Sequence, residues 1–165
     1  MGIFGRRYQY DSNGMYTLIS GGTQGEPSHL ERYPLLHSSY LPSDRDLYLY
    51  LPRGYDHESN TYPVIYMHDG QNLFDPNANY GGWHVDKVID DLVSRGELEE
   101  VLVVGISNTI DRMEEYTHVE DFVAGYGLVS PEAEAYGQLI VEEVKPFIDA
   151  RYRVQGERES TAVLG

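Results

Sequence analysis

The segment between residues 62 and 106 constrains the fold more than any other part of the chain. It holds two apolar runs without alternation, at 62–67 and 101–106, and between them a stretch with helical spacing that begins at Trp83 and ends at Gly96. The apolar side chains of that stretch follow the i, i+3, i+4, i+7, i+8 rule, at Val85, Val88, Ile89, Leu92 and Val93. Strands covered on both faces read as continuous apolar runs, and a helix joining two of them makes a right-handed βαβ unit with parallel strands. The sequence therefore predicts an α/β fold, with a mainly parallel sheet and helices on both faces.

Three further segments extend this unit. Leucine and tyrosine alternate over residues 47–51, which predicts an antiparallel-type strand at the edge of the sheet. A second helix is predicted to start at Ser130 and Pro131, and Pro146 is expected to kink or end it. One face of that helix carries Tyr136, Leu139, Ile140, Val144, Phe147 and Ile148. Residues 161–165 are predicted to form a third buried strand.

Residues 1–45 differ in composition from the rest of the chain. They are rich in Gly, Ser, Pro and Tyr, and their only strand-like stretch is 15–19, which Gly21 and Gly22 close. We therefore expect a partly ordered lead-in at 1–45 and a folded domain at 46–165. That domain is expected to be incomplete, because it stops on a strand of the buried type, whereas natural termini usually lie at exposed positions.

Composition and charge exclude several classes of function. The chain of 165 residues has 27 acidic and 12 basic side chains and a net charge of −15, so binding to nucleic acid or to an anionic membrane surface is not expected. The absence of cysteine excludes disulfides, thiolate zinc sites and a cysteine nucleophile. No run approaches the ~20 apolar residues of a membrane span, and the N-terminus lacks the apolar region of a secretory signal. A cytoplasmic location is the resulting expectation.

No metal site is predicted. The six histidines are scattered, without a pair at helical spacing. Residues 75–79 match the first ligand positions of an EF-hand loop, but Tyr80 stands where that loop needs Gly and Asp86 where it needs Glu. His118, with Glu120 and Asp121, is interpreted as a solvated loop cluster.

The polar residues 68–72, His-Asp-Gly-Gln-Asn, follow the first buried strand directly. Open α/β sheets build their ligand sites outside the carboxyl ends of parallel strands, so this loop is the first candidate site. Gly70 allows the backbone to approach a ligand closely, and the N–H groups beside it are suited to stabilising an oxyanion. The alternative is an ordinary turn closed by the Asp69 side chain.

Several ordered motifs resemble those of one enzyme family. The two main ones are residues 45–56, RDLYLYLPRGYD, and residues 62–75, YPVIYMHDGQNLFD. They resemble the putative esterase family of α/β-hydrolases, which includes enterochelin-esterase-like, feruloyl-esterase-like and S-formylglutathione-hydrolase-like enzymes. The match continues through 82–83, 103–108, 112–116 and 144–149, and so covers about residues 28–165. On this resemblance, the folded part is the N-terminal half of an α/β-hydrolase-type sheet.

The resemblance implies a catalytic Ser-Asp-His triad in that chain order, with the serine on a G-x-S-x-G elbow. Residues 161–165 resemble the strand before the elbow and its first glycine, which places the nucleophile two positions beyond Gly165. None of the triad then lies in this chain, and the chain alone is expected to be inactive. Ser107 is a second candidate nucleophile, but Thr109 replaces the closing glycine of its elbow, and the alternative is a loop serine that hydrogen-bonds locally.

The resemblance also implies the remaining site residues. Backbone N–H groups of Gly70 and Gln71 would form part of the oxyanion hole. The substrate pocket would be lined by His68, Asp69, Trp83, Asn108, Arg112, Glu115 and Tyr116. Arg112 would either orient a substrate oxygen or anchor its loop through Glu115, with a purely structural ion pair between the two as the alternative. Trp83 would either form a wall of the acyl pocket or pack at the start of the helix.

The resemblance thus implies that the complete protein hydrolyses carboxylic esters of small molecules through an acyl-enzyme and needs no cofactor. The alternative is a truncated, non-catalytic α/β binding or interaction module. A variant of that alternative is one half of a complementing pair, or a self-associating chain, that uses the open edge of its last strand.

Overall fold

The structure is a computed structural model that describes residues 7–10, 16–19, 27–57, 59–78 and 81–165. Its strands are β1 (Arg7–Tyr10), β2 (Tyr16–Ile19), β3 (His29–Leu36), β4 (Arg45–Leu51), β5 (Val64–Met67), β6 (Leu102–Ile106), β7 (Asp121–Val123), β8 (Gly127–Val129) and β9 (Thr161–Leu164). Its α-helices are α1 (Val85–Ser94), α2 (Arg112–Glu115), α3 (Ala133–Gln138) and α4 (Lys145–Arg151). The main sheet has five strands in the order β3-β4-β6-β5-β9, and two-stranded antiparallel ribbons are formed by β1 with β2 and by β7 with β8.

The βαβ unit is confirmed. Strands β5 and β6 pair in parallel, with Val64 opposite Leu102, and α1 connects them. The helix begins at Val85 rather than at Trp83, with His84 as its N-cap, and it ends at Ser94, just before the predicted stop. The periodicity therefore predicted the helix and its apolar face correctly, and only the predicted first residue of the helix was wrong.

The core lies on both faces of the sheet, as predicted. One face carries Leu47, Leu49, Val64, Tyr66, Leu102, Val104 and Ile106 against the helical residues Tyr136, Leu139, Ile140, Val144 and Ile148. The other face carries Tyr50, Met67 and Val103 against Ile89 of α1 and against Leu73 and Phe74. Alternate residues of each strand therefore face opposite sides of the sheet, which gives a mixed α/β sheet with helices on both faces.

The prediction that residues 47–51 form an edge strand is wrong. Strand β4 is antiparallel to β3 on one side and to β6 on the other, and β3 takes the edge. Strand β3 had no recognisable pattern, because Leu30 is its one fully buried residue and Pro34 interrupts it. An edge strand tolerates a residue without an N–H, and the register shifts between Tyr33 and Leu36 around that proline.

The second helix starts later than predicted and continues past Pro146. Its N-cap is Glu132, so the prediction of Ser130 and Pro131 at its start is wrong. After α3 the chain forms a π-helical segment, Leu139–Val144, and α4 follows with Pro146 in its first turn. Proline offers no N–H to the preceding turn, and the wider π turn before it accommodates that gap without ending the helix. The predicted apolar face is confirmed.

The terminal segments differ from expectation in one respect. Strand β9 pairs in parallel with β5, as a third strand of the parallel set, but it is largely exposed, so the prediction of a buried strand is wrong. It is the outermost strand of the described sheet, and Val163 and Leu164 are about half exposed on it. In the lead-in, Tyr16–Ile19 is a strand as predicted, whereas Met15 and Gly21–Gly22 lie outside the described residues.

Within the described ranges, none of the helices combines the length and the apolar character that crossing a bilayer requires. The cytoplasmic location stays a prediction.

Candidate functional site

The loops that follow β5 and β6 meet at the carboxyl edge of the parallel strands. The loop after β5 contains a short 3-10 helix, Gly70–Asn72, and the loop after β6 contains α2. Strand β9 ends at the same edge, where the His68 N–H donates to the carbonyl of Leu164 at 3.1 Å. Most of the predicted site residues therefore lie close together, as expected for loops that follow the carboxyl ends of parallel strands.

Asp69 is the polar centre of this edge. It is almost fully buried, and its backbone is left-handed, at φ 54° and ψ 44°. Arg112 donates to both of its carboxylate oxygens, from Nε at 2.8 Å and from Nη2 at 2.7 Å. Asn108 Nδ2 donates to the same carboxylate at 2.6 Å. The hydrogen bond from Arg112 is the main reason that the pKa of Asp69 lies below its usual range, so the carboxylate stays ionised.

A second contact joins the two loops. The Asn108 backbone N–H donates to Oε1 of Gln71 at 3.1 Å. Between the two contacts lies Gly70, where an added Cβ would come within 2.5 Å of the carbonyl carbon of Gly105 in β6. Any side chain at this position would displace the loop, so close approach to β6 requires glycine here.

His68, next to Asp69 in the chain, lies in an aromatic cluster with Tyr116 and Tyr136. Its Nδ1 is 2.8 Å from the hydroxyl of Tyr136, and its ring centroid is 5.2 Å from that of Tyr116. Burial lowers the pKa of His68, which favours the neutral imidazole. The guanidinium of Arg112 stacks on the Tyr116 ring, 4.6 Å from its centroid. The predicted pocket residues His68, Arg112 and Tyr116 therefore form one contiguous group.

The predicted contact between Arg112 and Glu115 is wrong. Glu115 has no exposed surface, and its carboxylate pairs with Arg45, which is equally buried at the start of β4. Thr109 Oγ1 also donates to it, at 3.0 Å. Arg112 and Glu115 lie three residues apart on a single turn, but one is directed to the site and the other to the interior. Glu115 therefore lies beneath the pocket instead of lining it.

Ser107 is held by the neighbouring strand. Its hydroxyl accepts a hydrogen bond from the N–H of Asp46 at 3.0 Å, and its own N–H donates to the Asp46 carbonyl at 2.9 Å. This arrangement agrees with a serine that stabilises its loop and gives no support to Ser107 as a nucleophile.

Trp83 is not packed at the start of α1, since 47% of its surface is exposed. Its backbone N–H donates to the carbonyl of Asn72 at 2.8 Å, so the main chain of Trp83 lies at the end of the first site loop. The packing interpretation is therefore wrong. A role in the pocket wall stays a prediction.

A cleft of about 560 Å³ adjoins the site on the α1 face of the sheet. Its lining includes Leu30, Arg32, Tyr48, Gln71, Phe74 and Pro76. Gly70 and Gln71 line it too, so the cleft opens beside the backbone that was predicted to bind an oxyanion. In the described part of the chain, the N–H groups of Gly70 and Gln71 donate to no protein acceptor.

Sequence reasoning missed four contributors to this region. Arg45 and Tyr136 hold site residues from below, and Tyr48 and Phe74 line the cleft. The sequence pattern places Tyr136 on the apolar face of the second helix, and its hydroxyl on that otherwise apolar face was the available signal. Arg45 gives no local signal, because its partner is 70 residues away along the chain.

Comparisons with known proteins agree with this geometry. The model of the family described as Putative esterase matches residues 38–165. Uncharacterized protein YbbA from Bacillus subtilis (strain 168) is 24% identical over 133 residues, which are 78% of this chain and 48% of that protein.

Two solved structures share both fold and sequence. An IroE-like serine hydrolase from Shewanella oneidensis is 28% identical, with a TM-score of 0.65, and the match covers 84% of this chain and 42% of that one. A ferulic acid esterase is also 28% identical, with a TM-score of 0.57, over 84% of this chain and 48% of the other. The chain thus spans about half the length of the proteins that it matches. With 128 of its residues (38–165) matched by the family model and this fold, the chain belongs to the Putative esterase family.

Proposed function

We propose that the protein containing this chain hydrolyses carboxylic esters of small molecules through an acyl-enzyme. The support is the family membership together with one local observation. The N–H groups of Gly70 and Gln71 lie at the carboxyl edge of the parallel strands and donate to no acceptor in the described chain. Two adjacent backbone donors in such a position are suited to an oxyanion hole, whose individual donors contribute about 3 kcal/mol to transition-state stabilisation.

The proposed nucleophile is a serine two positions beyond Gly165, with its Asp and His partners further along. The ring of His68 lies so close to Gly165 that a Cβ there would collide with it, which fits a tight turn after β9. In this proposal the chain described here supplies half of the oxyanion hole and part of the pocket, and it is inactive by itself. Ser107 has no catalytic role in it.

The cleft beside Gly70 and Gln71 is proposed to take one side of the ester. Its aromatic and aliphatic lining favours an apolar group. Two carboxylates, Glu31 and Asp75, also line it, whereas its cation, Arg32, is paired with Asp46 at 2.5 Å. The hydrogen bond with His29 is the main reason that the pKa of Glu31 is lowered, so Glu31 remains charged. A neutral ester is therefore preferred over an anionic one.

The test compares the full-length protein with the 165-residue chain on p-nitrophenyl acetate and on a fluorophosphonate that labels activated serines. We expect turnover and labelling with the full-length protein, at a serine that follows Gly165, and neither with the shorter chain. The Ser107→Ala variant of the full-length protein should retain turnover. Labelling at Ser107, or an inactive and unlabelled full-length protein, would contradict the proposal.

A second candidate function rests on β9. Its Val163 and Leu164 side chains are half exposed on the outermost strand of the sheet. Such an edge accepts another strand, from a separate C-terminal half or from a second copy of the chain. Sedimentation of the 165-residue chain would reveal self-association. A complex with the separately produced C-terminal segment would support complementation.

A further inference from the structure

We propose that the loop after β6 clamps the loop after β5 at two points, and that this clamp sets the direction of the Gly70 and Gln71 N–H groups. Arg112 and Asn108 are then positioning residues. The inference rests on the proposed function, because it assigns those N–H groups to the oxyanion. It also changes the predicted role of Arg112, from a substrate contact to a support for the backbone.

The first point of the clamp is Asp69. Its carboxylate receives three hydrogen bonds, two from the fork of Arg112 and one from the Asn108 amide. Its main chain is left-handed, a conformation that Asp tolerates but that few other residues adopt. The peptide that follows a residue takes its orientation from that residue's ψ angle. Fixing the side chain of Asp69 therefore fixes the N–H of Gly70.

The second point is Gln71. Its Oε1 accepts the backbone N–H of Asn108 at 3.1 Å, so the side chain of the second proposed donor is tied to the same loop. Between the points, Gly70 lies against the backbone of Gly105. The short segment 69–71 is thus held at Asp69, at Gln71 and by the close approach of Gly70 to Gly105, and these contacts restrict the rotation of both proposed donors.

The loop that does the clamping is itself anchored to β4 at both ends. Ser107 exchanges two hydrogen bonds with Asp46, and Glu115 forms the buried ion pair with Arg45. Arg112 lies one helical turn before Glu115, so its main chain cannot shift without disturbing the ion pair between Glu115 and Arg45. The support therefore extends without interruption from β4 through α2 to Asp69.

The same contacts argue against a substrate-binding role for Arg112. Its Nε and Nη2 are directed to Asp69, and its flat face lies on Tyr116. A substrate anion that displaced Asp69 from Nε and Nη2 would leave the buried Asp69 carboxylate without its main partner, so a substrate could use only the remaining donors, such as those of Nη1. A positioning role for Arg112 requires only the contacts with Asp69 and Tyr116 that the structure shows.

The functional consequence follows from how oxyanion holes work. Their donors act because they are already oriented when the negative charge develops. Loosening them should slow the chemical step with little effect on binding of the neutral ester. Misplacement of reacting groups by about 1 Å costs around 10²-fold in rate, and a partial loosening should cost about 10- to 100-fold in kcat. KM should change less than about threefold, since the ground state makes little use of these donors.

The experiment uses Arg112→Lys and Asp69→Asn in the full-length protein, with p-nitrophenyl acetate as the ester. Lysine keeps the charge but loses the fork, and asparagine keeps the shape and the tolerance for left-handed backbone. The matched control is Arg95→Lys, which alters a surface arginine paired with Asp91 at 3.1 Å. We expect kcat to fall about 10- to 100-fold in both clamp variants, and to stay at the parent value in the control. Arg112→Gly should regain part of its kcat in added guanidinium.

Amide signals give a readout that is independent of turnover. In 15N spectra of the full-length protein, both clamp variants should shift the Gly70 and Gln71 amides and speed their hydrogen exchange. The unfolding midpoint should show that each variant is folded at the assay temperature. Gln71→Met, which removes the Oε1 acceptor at similar size, should disturb the amides in the same way.

The outcomes separate the two proposals. A raised KM with unchanged kcat would make Arg112 a substrate-binding residue and overturn the clamp, as would unchanged Gly70 and Gln71 amides in folded variants. If the parent protein turns over no ester, the proposed function fails, and the amide signals alone then decide whether the loop after β6 orients these N–H groups.

Discussion

Two arginine–carboxylate pairs are carried by opposite ends of the four-residue helix α2, and they differ in almost everything except their chemistry. Glu115, at the end of the helix, pairs with Arg45, and both side chains are 0% exposed. Arg112, at its beginning, pairs with Asp69, with side-chain exposures of 42% and 12%. The first pair lies under the sheet edge and the second lies in the candidate site.

The difference shows that one end of α2 stabilises the folded protein, whereas the other end positions the site loop. Burial raises the pKa of Glu115, whereas the hydrogen bond from Arg112 lowers that of Asp69. A carboxylate in the interior lacks water, and each ion of such a pair depends on its partner. A carboxylate at the rim is already favoured as an ion, and its partner mainly determines where it points. The buried pair should therefore matter most to folding, and the rim pair most to the site.

The largest expected effect is on the buried pair. Glu115→Leu leaves Arg45 as a buried charge without a hydrogen-bonding partner at this position, and such a loss costs about 3–5 kcal/mol in the free energy of unfolding. Urea unfolding of the variant and its parent measures the difference. As a control, the double variant Arg45→Met with Glu115→Leu replaces both charges by apolar groups and should cost much less. A single variant that loses under 1 kcal/mol would break the proposed contrast between the pairs.

The rim pair should contribute far less to stability. Arg112→Gln removes a pair whose arginine side chain is 42% exposed, and Asn108 still donates to Asp69, so we expect a loss of about 1 kcal/mol or less in the same urea experiment. Its effect on turnover should nevertheless be large, through the clamp on Asp69. A loss as large as that of Glu115→Leu would show that the two pairs contribute equally to the free energy of unfolding.

The comparison also marks what sequence reasoning can and cannot reach. The strand–helix–strand pattern located both site loops, because strand direction alone brings the ends of β5 and β6 to one edge. The family resemblance suggested Glu115 as a partner of Arg112, and the two residues do lie in one helical turn. The actual partner, Asp69, is 43 residues away, and its left-handed backbone is invisible in the sequence. Tertiary packing brings Asp69, and not the neighbouring Glu115, into contact with Arg112, and the sequence does not reveal that packing.

A similar limit applies to the sheet edge. The alternation over residues 47–51 correctly gave an antiparallel strand, but the pattern of one strand does not show how many neighbours it has. Strand β3 escaped notice because an edge strand with a proline and with one buried residue carries almost no periodic signal. The exposure of β9 was missed for the converse reason, since its composition resembles that of a covered strand.

A smaller effect is expected from pH, and its sign should differ between the two carboxylates. The pKa of Asp69 is lowered from 3.8 in the folded protein, so its stabilisation is present above that value and is lost as the pH falls through the folded pKa. The pKa of Glu115 is raised from 4.5, so the folded state binds the extra proton and stability falls as the pH rises through that window. Urea unfolding of Asp69→Asn and Glu115→Gln between pH ~3 and ~7 should show the two dependences lost separately.

The smallest effect is expected from a third pair, on the surface of α4. Lys145 Nζ lies 2.7 Å from Asp149, one turn later on the same helix, and 3.0 Å from the carbonyl of Gly156. Exposed pairs at this spacing contribute about 0.3–0.5 kcal/mol, so Asp149→Asn should lower the free energy of unfolding by no more than that. The loss of stability should be smaller still in about 1 M salt, because the Debye screening length is then only about 3 Å. A larger loss of stability from Asp149→Asn than from Arg112→Gln would mean that solvent exposure does not predict how much each pair contributes. The exposed Asp149 would then stabilise the fold more than Asp69, which accepts three hydrogen bonds.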